Sequence, residues 1–313
     1  GQSEEPSWRT IGLDPSSWTD GPVKEDTPMN QSYQGNAVFV IEISYHTGLT
    51  SPEVQGNITI ELFEQWAPIT TTNIIEHIET GLYDDVFFHR VVDDFVIQSG
   101  DPECKTVGAY PVTSPQCSGG GTGETIPLEH DVNLSHVDGA MGMARGAEQD
   151  SADSQWYITD NEQHGLDPEN REDEGYATFG IVRDGMTHIR AIAETPTSDE
   201  PTGTDLDNPF ASGGRPVYEA KIISMEMIGV ADPDGVIRNP PEDTAQSNSF
   251  AESAVKVVSI SLVLLLVVAV PVILLRGRSE EPLNMYKDAV ILDAELVDSS
   301  QDGFWDNMAD DGL

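Results

Sequence analysis

The sequence predicts a mainly β domain, a closed antiparallel barrel with two helices packed at its ends, joined to a single C-terminal transmembrane helix. Three observations carry this expectation. Short runs of alternating or β-branched residues recur through the middle of the chain. Two segments among them have helical spacing instead. Near the C-terminus, residues 257–275 read VVSISLVLLLVVAVPVILL, with no charged residue.

The elements follow in order. AVFVIEIS at 37–44 and NITIELF at 57–63 are strand-like. A helix comes next: Pro68 suits a first turn, Ile69, Ile74, Ile75 and Ile78 recur at helical spacing, and Gly81 stops it. Short strand-like segments then alternate with Gly-rich and Asp-rich loops. DGMTHIRAIA at 184–193 fits a second helix, and EAKIISMEMI at 219–228 a final strand. Many short strands with two helices favour a closed barrel.

The flanks divide the rest. Residues 1–36 are a polar extension with Trp8 and Trp18 as isolated aromatics, and the sequence leaves open whether it packs on the 37–230 domain. Residues 231–254, rich in Pro, Asp and Ser, read as a flexible linker. Residues 255–275 form the expected transmembrane helix; its 19-residue uncharged core spans roughly 28 Å, close to the hydrocarbon thickness of a bilayer. Arg276 and Arg278 place the basic flank on the C-terminal side. The acidic tail, 276–313, is therefore expected in the cytoplasm, and the large domain outside it, on a single-pass cell-membrane protein. The tail is a candidate docking segment for a cytoplasmic partner.

Composition excludes several functions. Asp and Glu number 55 against 15 Lys and Arg, a formal charge of -40. Such a chain repels nucleic acid and anionic lipid, and most of the acidity reads as solvated surface. Cys104 and Cys117 form no CxxC pair, which argues against a zinc or thioredoxin-like site. Outside the cytoplasm a disulfide between them is expected, two unpaired thiols being the alternative. No residue spacing suggests a metal or another cofactor, and Ser154 lacks the context of a nucleophile.

Four blocks carry the chemistry: FFHRVVDDFVIQSGD at 87–101, AMGMARG at 140–146, SQWYIT at 154–159 and YATFGIVRDGM at 176–186. In this order and spacing they resemble the cyclophilin family, over about residues 37–229. The resemblance implies an eight-stranded antiparallel barrel capped by two helices, and peptidyl-prolyl cis-trans isomerase activity on proline-containing polypeptides. It further implies that Arg90 donates to the substrate carbonyl and the prolyl nitrogen, and that Gln98 orients Arg90. Phe95, Val96, Tyr157 and Leu166 would line a proline pocket, with His89 at its rim. Ala144, Arg145 and Gln155 would flank the peptide groove, and Gly120 and Gly121 a neighbouring subsite.

Several positions depart from the family pattern. Asp93-Asp94 stands for Pro-Gly, Val96 for Met, Ser99 for Gly, Gly165 for an aromatic and Tyr176 for His. The second reading of the chain is a non-catalytic module that captures proline segments and recruits a partner through the acidic tail. The intact His89-Arg90 pair, Phe95, Gln98 and Gln155 favour the enzyme.

Overall fold

A computed structural model describes residues 5–105, 117, 119–197 and 213–238. The strands are β1 (Gly12–Leu13), β2 (Ala37–Tyr45), β3 (Val54–Leu62), β4 (Arg90–Val92), β5 (Val96–Ser99), β6 (Ala140–Met143), β7 (Trp156–Thr159), β8 (Thr178–Asp184) and β9 (Ala220–Ala231). The helices are α1 (Pro68–Glu79) and α2 (Met186–Ala193). The strands join in the order β1-β9-β2-β3-β8-β6-β7-β5-β4.

The eight strands β2 to β9 close on themselves. The segment leading into β4 bonds back to β9: Phe88 N–H donates to the Ala220 carbonyl at 3.0 Å, and Ile222 N–H to that of Val86 at 2.8 Å. The alternation read in the sequence is what fills the barrel. Along β2, Phe39, Ile41 and Ile43 are fully buried while Glu42 is exposed. They share one core with Ile58, Ile60, Met141, Trp156, Ile158 and Phe179. Burial of this apolar surface is the main force holding the barrel together.

Both helices form where the spacing placed them. Ile74, Ile75 and Ile78 of α1 face the core, but Ile69 does not; it is 47% exposed. The buried stripe runs back through Thr70 and Thr71, four residues before Ile74 and Ile75, so Ile69 falls on the outer face. Glu129 caps this helix, accepting from Ile69 N–H and from both N–H and hydroxyl of Thr70.

The N-terminal extension packs on the barrel. β1 pairs in parallel with the end of β9, a ninth strand that the sequence did not reveal. Trp8 is buried, and its indole N–H donates to Glu79 at 2.9 Å. Met29 is fully buried in the core. Arg183 of β8 pairs with the buried Glu61 at 2.7 Å and donates to the carbonyls of Met29 and Gln31. Residues 231–238, expected to open a flexible linker, are part of the folded domain. Ala231 still pairs with Leu13, and the buried Asp232 accepts from Val236 and Ile237 N–H.

Cys104 and Cys117 are joined in a disulfide that packs against Phe87. No helix among the described residues is long and apolar enough to cross a membrane. The apolar segment 257–275 and the tail lie outside the described residues.

Candidate active site

Register builds the site. β4, β5, β7 and β6 lie side by side, pairing Arg90 with Gln98, Gln98 with Tyr157, and Tyr157 with Gly142. Residues opposed in this way share a face of the sheet. Gly142 leaves room for the Tyr157 ring, since a Cβ there would stand 2.5 Å from Tyr157 Cζ. Three residues on from Arg90 the chain turns at Asp93-Asp94. Asp94 adopts φ 55, a left-handed conformation that Asp tolerates better than most residues. Its N–H donates to Asp160 Oδ2, and Phe95 N–H closes the turn on the Val92 carbonyl.

A small cavity of about 110 Å³ opens beside this row. Phe95, Val96, Tyr157 and Leu166 form its buried apolar wall, with Ala144 and Tyr176 packed against them. Arg90, Gln98 and Arg145 complete the lining. The Arg90 guanidinium carbon lies 5.5 Å from the Phe95 ring centroid, in cation–π range. The arrangement suits an apolar ring gripped beside a fixed cationic donor.

A second cavity of about 540 Å³ shares Gln98, Ala144 and Arg145 with the first and adds Gln155, Gly120 and Gly121. Gln98 Nε2 donates to Gln155 Oε1 at 3.1 Å, and Gln155 Nε2 to the Gly120 carbonyl at 2.9 Å. This string of amides ties the pocket to the wall of the larger groove. The Arg145 side chain is held by backbone carbonyls beside the groove. Its guanidinium donates to the carbonyls of Gly146, Asp173 and Gly175, and stacks over Tyr176 at 4.8 Å.

The structure thus gathers Arg90, Phe95, Val96, Gln98, Ala144, Arg145, Tyr157 and Leu166 around one cavity, and Gly120, Gly121 and Gln155 around the next. His89 is the exception. Expected at the rim, it is 3% exposed and lines neither cavity. Its N–H bonds the Gln98 carbonyl, and consecutive residues of an extended run face opposite ways, so His89 turns inward where Arg90 turns to the pocket. Burial pushes its pKa down to about 4, Asp101 opposing and the Arg90 charge adding to the shift. The ring is therefore held in its neutral form near pH 7.

Two contributions escaped the sequence. Tyr176, noted only as a substitution, lines the pocket and meets Tyr157 edge-on at 6.1 Å. The Tyr157 hydroxyl lies 2.7 Å from His136 Nε2, and His136 Nδ1 lies 2.7 Å from Asp167 Oδ1. Burial lowers the His136 pKa, with Asp167 opposing the shift; the Asp167 carboxylate can only accept, so His136 Nδ1–H donates to it. Burial works against the Asp167 charge, but hydrogen bonds from His136 and Ser135 outweigh it and hold its pKa at about 2. Nothing in the spacing of His136 marked it. Among the described residues two groups bring three ligand-type side chains together, Glu25–Glu162–His164 and Asp93–Asp94–Asp160. Both lie off the two cavities, and neither contains His89.

The model of the family described as cyclophilin type peptidyl-prolyl cis-trans isomerase/CLD matches residues 46–226. The chain belongs to this family. It is a cyclophilin-type isomerase, and two relatives similar in sequence bear this out. A peptidyl-prolyl cis-trans isomerase of Acinetobacter baylyi is 35% identical over 46% of this chain and 70% of its own length. Peptidyl-prolyl cis-trans isomerase A of Dickeya dadantii is 32% identical over 51% of this chain and 77% of its own. A solved cyclophilin type peptidyl-prolyl cis-trans isomerase of Cryptosporidium parvum is 21% identical, covers 60% of this chain and 97% of its own, and superposes with a TM-score of 0.43.

Proposed function

We propose that this cyclophilin isomerises X-Pro bonds of proteins outside the cytoplasm, with Arg90 as the catalytic donor and the small cavity as the proline pocket. Rotation about an X-Pro bond meets a barrier of roughly 18–20 kcal/mol, because twisting the amide removes its resonance. No proton needs to move. The enzyme has only to bind the twisted amide better than either planar form. The prolyl ring sits among Phe95, Val96, Tyr157 and Leu166. The Arg90 guanidinium, permanently charged, donates to the prolyl nitrogen as it pyramidalises and to the neighbouring carbonyl. Gln98, opposite Arg90 in the register, holds the guanidinium and the peptide backbone in line.

The observation that carries this reading is the register-built neighbourhood of Arg90, Gln98 and Tyr157 beside an apolar cavity. The uncharged stretch 257–275 supports attachment to the membrane, with the acidic tail on the cytoplasmic side. NMR exchange on a short X-Pro peptide tests the catalytic assignment. The wild-type chain should catalyse exchange, and Arg90→Ala should lower the rate at least tenfold while peptide binding persists. Equal catalysis by the two proteins would remove Arg90 from the mechanism.

A further inference from the structure

We propose that His136 is a positioning residue of this isomerase: it fixes the Tyr157 ring through its hydroxyl and, through Asp167, ties that ring to the Leu166 side of the small cavity. The inference rests on the proline-pocket reading and adds the residue that sets the shape of that pocket. His136 is fully buried and lines neither cavity. It acts through Tyr157 and Leu166, which do line the pocket.

A hydroxyl is out of place in this wall. The other buried side chains that pack there, Val92, Phe95, Val96 and Leu166, are wholly apolar. A buried polar group needs a hydrogen-bond partner. Left free, the Tyr157 hydroxyl would have to find one in the substrate or draw its ring toward water. His136 Nε2, 2.7 Å away, supplies it inside the protein. Strand packing leaves the ring unconfined on one side. Gly142, paired with Tyr157 in the register, has no side chain, and a Cβ there would fall 2.5 Å from Cζ and 2.6 Å from the hydroxyl oxygen. The hydrogen bond to His136 therefore sets where the ring stops.

His136 is itself pinned. Its backbone N–H donates to Asp167 Oδ1 at 2.8 Å, and its Nδ1–H donates to the same oxygen at 2.7 Å. In the neutral imidazole the remaining nitrogen, Nε2, is an acceptor, and the Tyr157 hydroxyl is the donor that meets it. The second Asp167 oxygen accepts from the Ser135 hydroxyl and lies 3.0 Å from His164 Nδ1. Asp167 cannot swing without breaking these bonds, and Leu166, the residue before it, is pocket wall. One buried imidazole thus spans the two walls. In a cavity of about 110 Å³ a small shift of the Tyr157 ring changes the fit around a prolyl ring. Lost position lowers the rate when the enzyme must favour a twisted amide over planar ones.

The test uses the full chain, with thermal melts and with kcat and KM on a short X-Pro peptide. His136→Asn keeps an amide near Nδ1 for Asp167 and removes the partner of the Tyr157 hydroxyl. His136→Gln returns a polar atom near Nε2. In His136→Asn, kcat should fall at least fivefold with KM changed less than threefold, and His136→Gln should recover at least half of the wild-type kcat. Tyr157→Phe should lose as much as His136→Asn, and the double variant no more than twofold further, because both changes cut one bond. NMR line shapes of labelled tyrosine should show the Tyr157 ring flipping faster in His136→Asn. Wild-type kcat in Tyr157→Phe, losses that multiply in the double variant, or a His136→Asn protein that melts lower yet turns over normally would each overturn the proposal. Should His136→Asn fail to fold, the other two variants decide: a fivefold loss in Tyr157→Phe with recovery in His136→Gln upholds it, and any other result overturns it. Absence of catalysis by the wild-type chain would instead overturn the isomerase reading beneath it.

Discussion

Adjacent residues can be sent to opposite jobs by strand alternation alone. Arg90 reaches the pocket, while His89 is buried as a neutral ring with a pKa near 4. The linkage has a definite sign. In the unfolded chain a histidine takes up its proton near pH 6.5. The folded protein resists protonation until about pH 4, so the stability is fully present above 6.5 and is lost as pH falls from 6.5 toward 4. The loss reaches up to about 3 kcal/mol. Urea midpoints at pH 7 and pH 4.5 should therefore differ clearly, and His89→Gln should shrink the difference; an identical pH response in the variant would contradict the burial argument. At this scale much was legible. The pocket residues were legible through the family resemblance that four ordered blocks carry; their types and periodicity alone did not single them out. Which way His89 pointed was not legible, because alternation fixes relative faces and not which face meets substrate. His136 was invisible because it acts through Tyr157 and Asp167, partners 21 and 31 residues away.

Among the elements, strands with strict alternation and helices with an apolar stripe were foreseeable, whereas β1 was not. Two residues carry no periodicity, and β1 exists only because the edge of β9 offers it bonds. The extension also finishes α2. That helix starts at Gly185, which has no side chain to cap it. Asp20 takes the role from 167 residues away, accepting from the N–H and the hydroxyl of Thr187, each at 3.0 Å. Asp20→Ala should lower stability by about 1 kcal/mol, the usual loss for a helix cap. A thermal melt should show the midpoint falling by about 2–4 °C. An unchanged midpoint would mean that water replaces the cap without loss.

For the molecule as a whole, composition announced an acidic surface and an apolar stretch suited to a bilayer, but the sequence could not show how the ends of the folded part meet. Protease added to intact cells should remove the barrel domain and spare the tail after residue 276. Protection of the domain would reverse the proposed orientation. The clasp at β9 bears on synthesis. This strand bonds β1, β2 and the segment before β4, and it is made after all of them. Until it emerges, β2 has an open edge, and the segment of residues 86–88 lacks its bonding partner. Contacts so distant in sequence form slowly, and an open edge is a site for pairing with other chains. A ribosome that stalls before residue 220 would therefore leave not a partial enzyme but an unclosed, adhesive sheet.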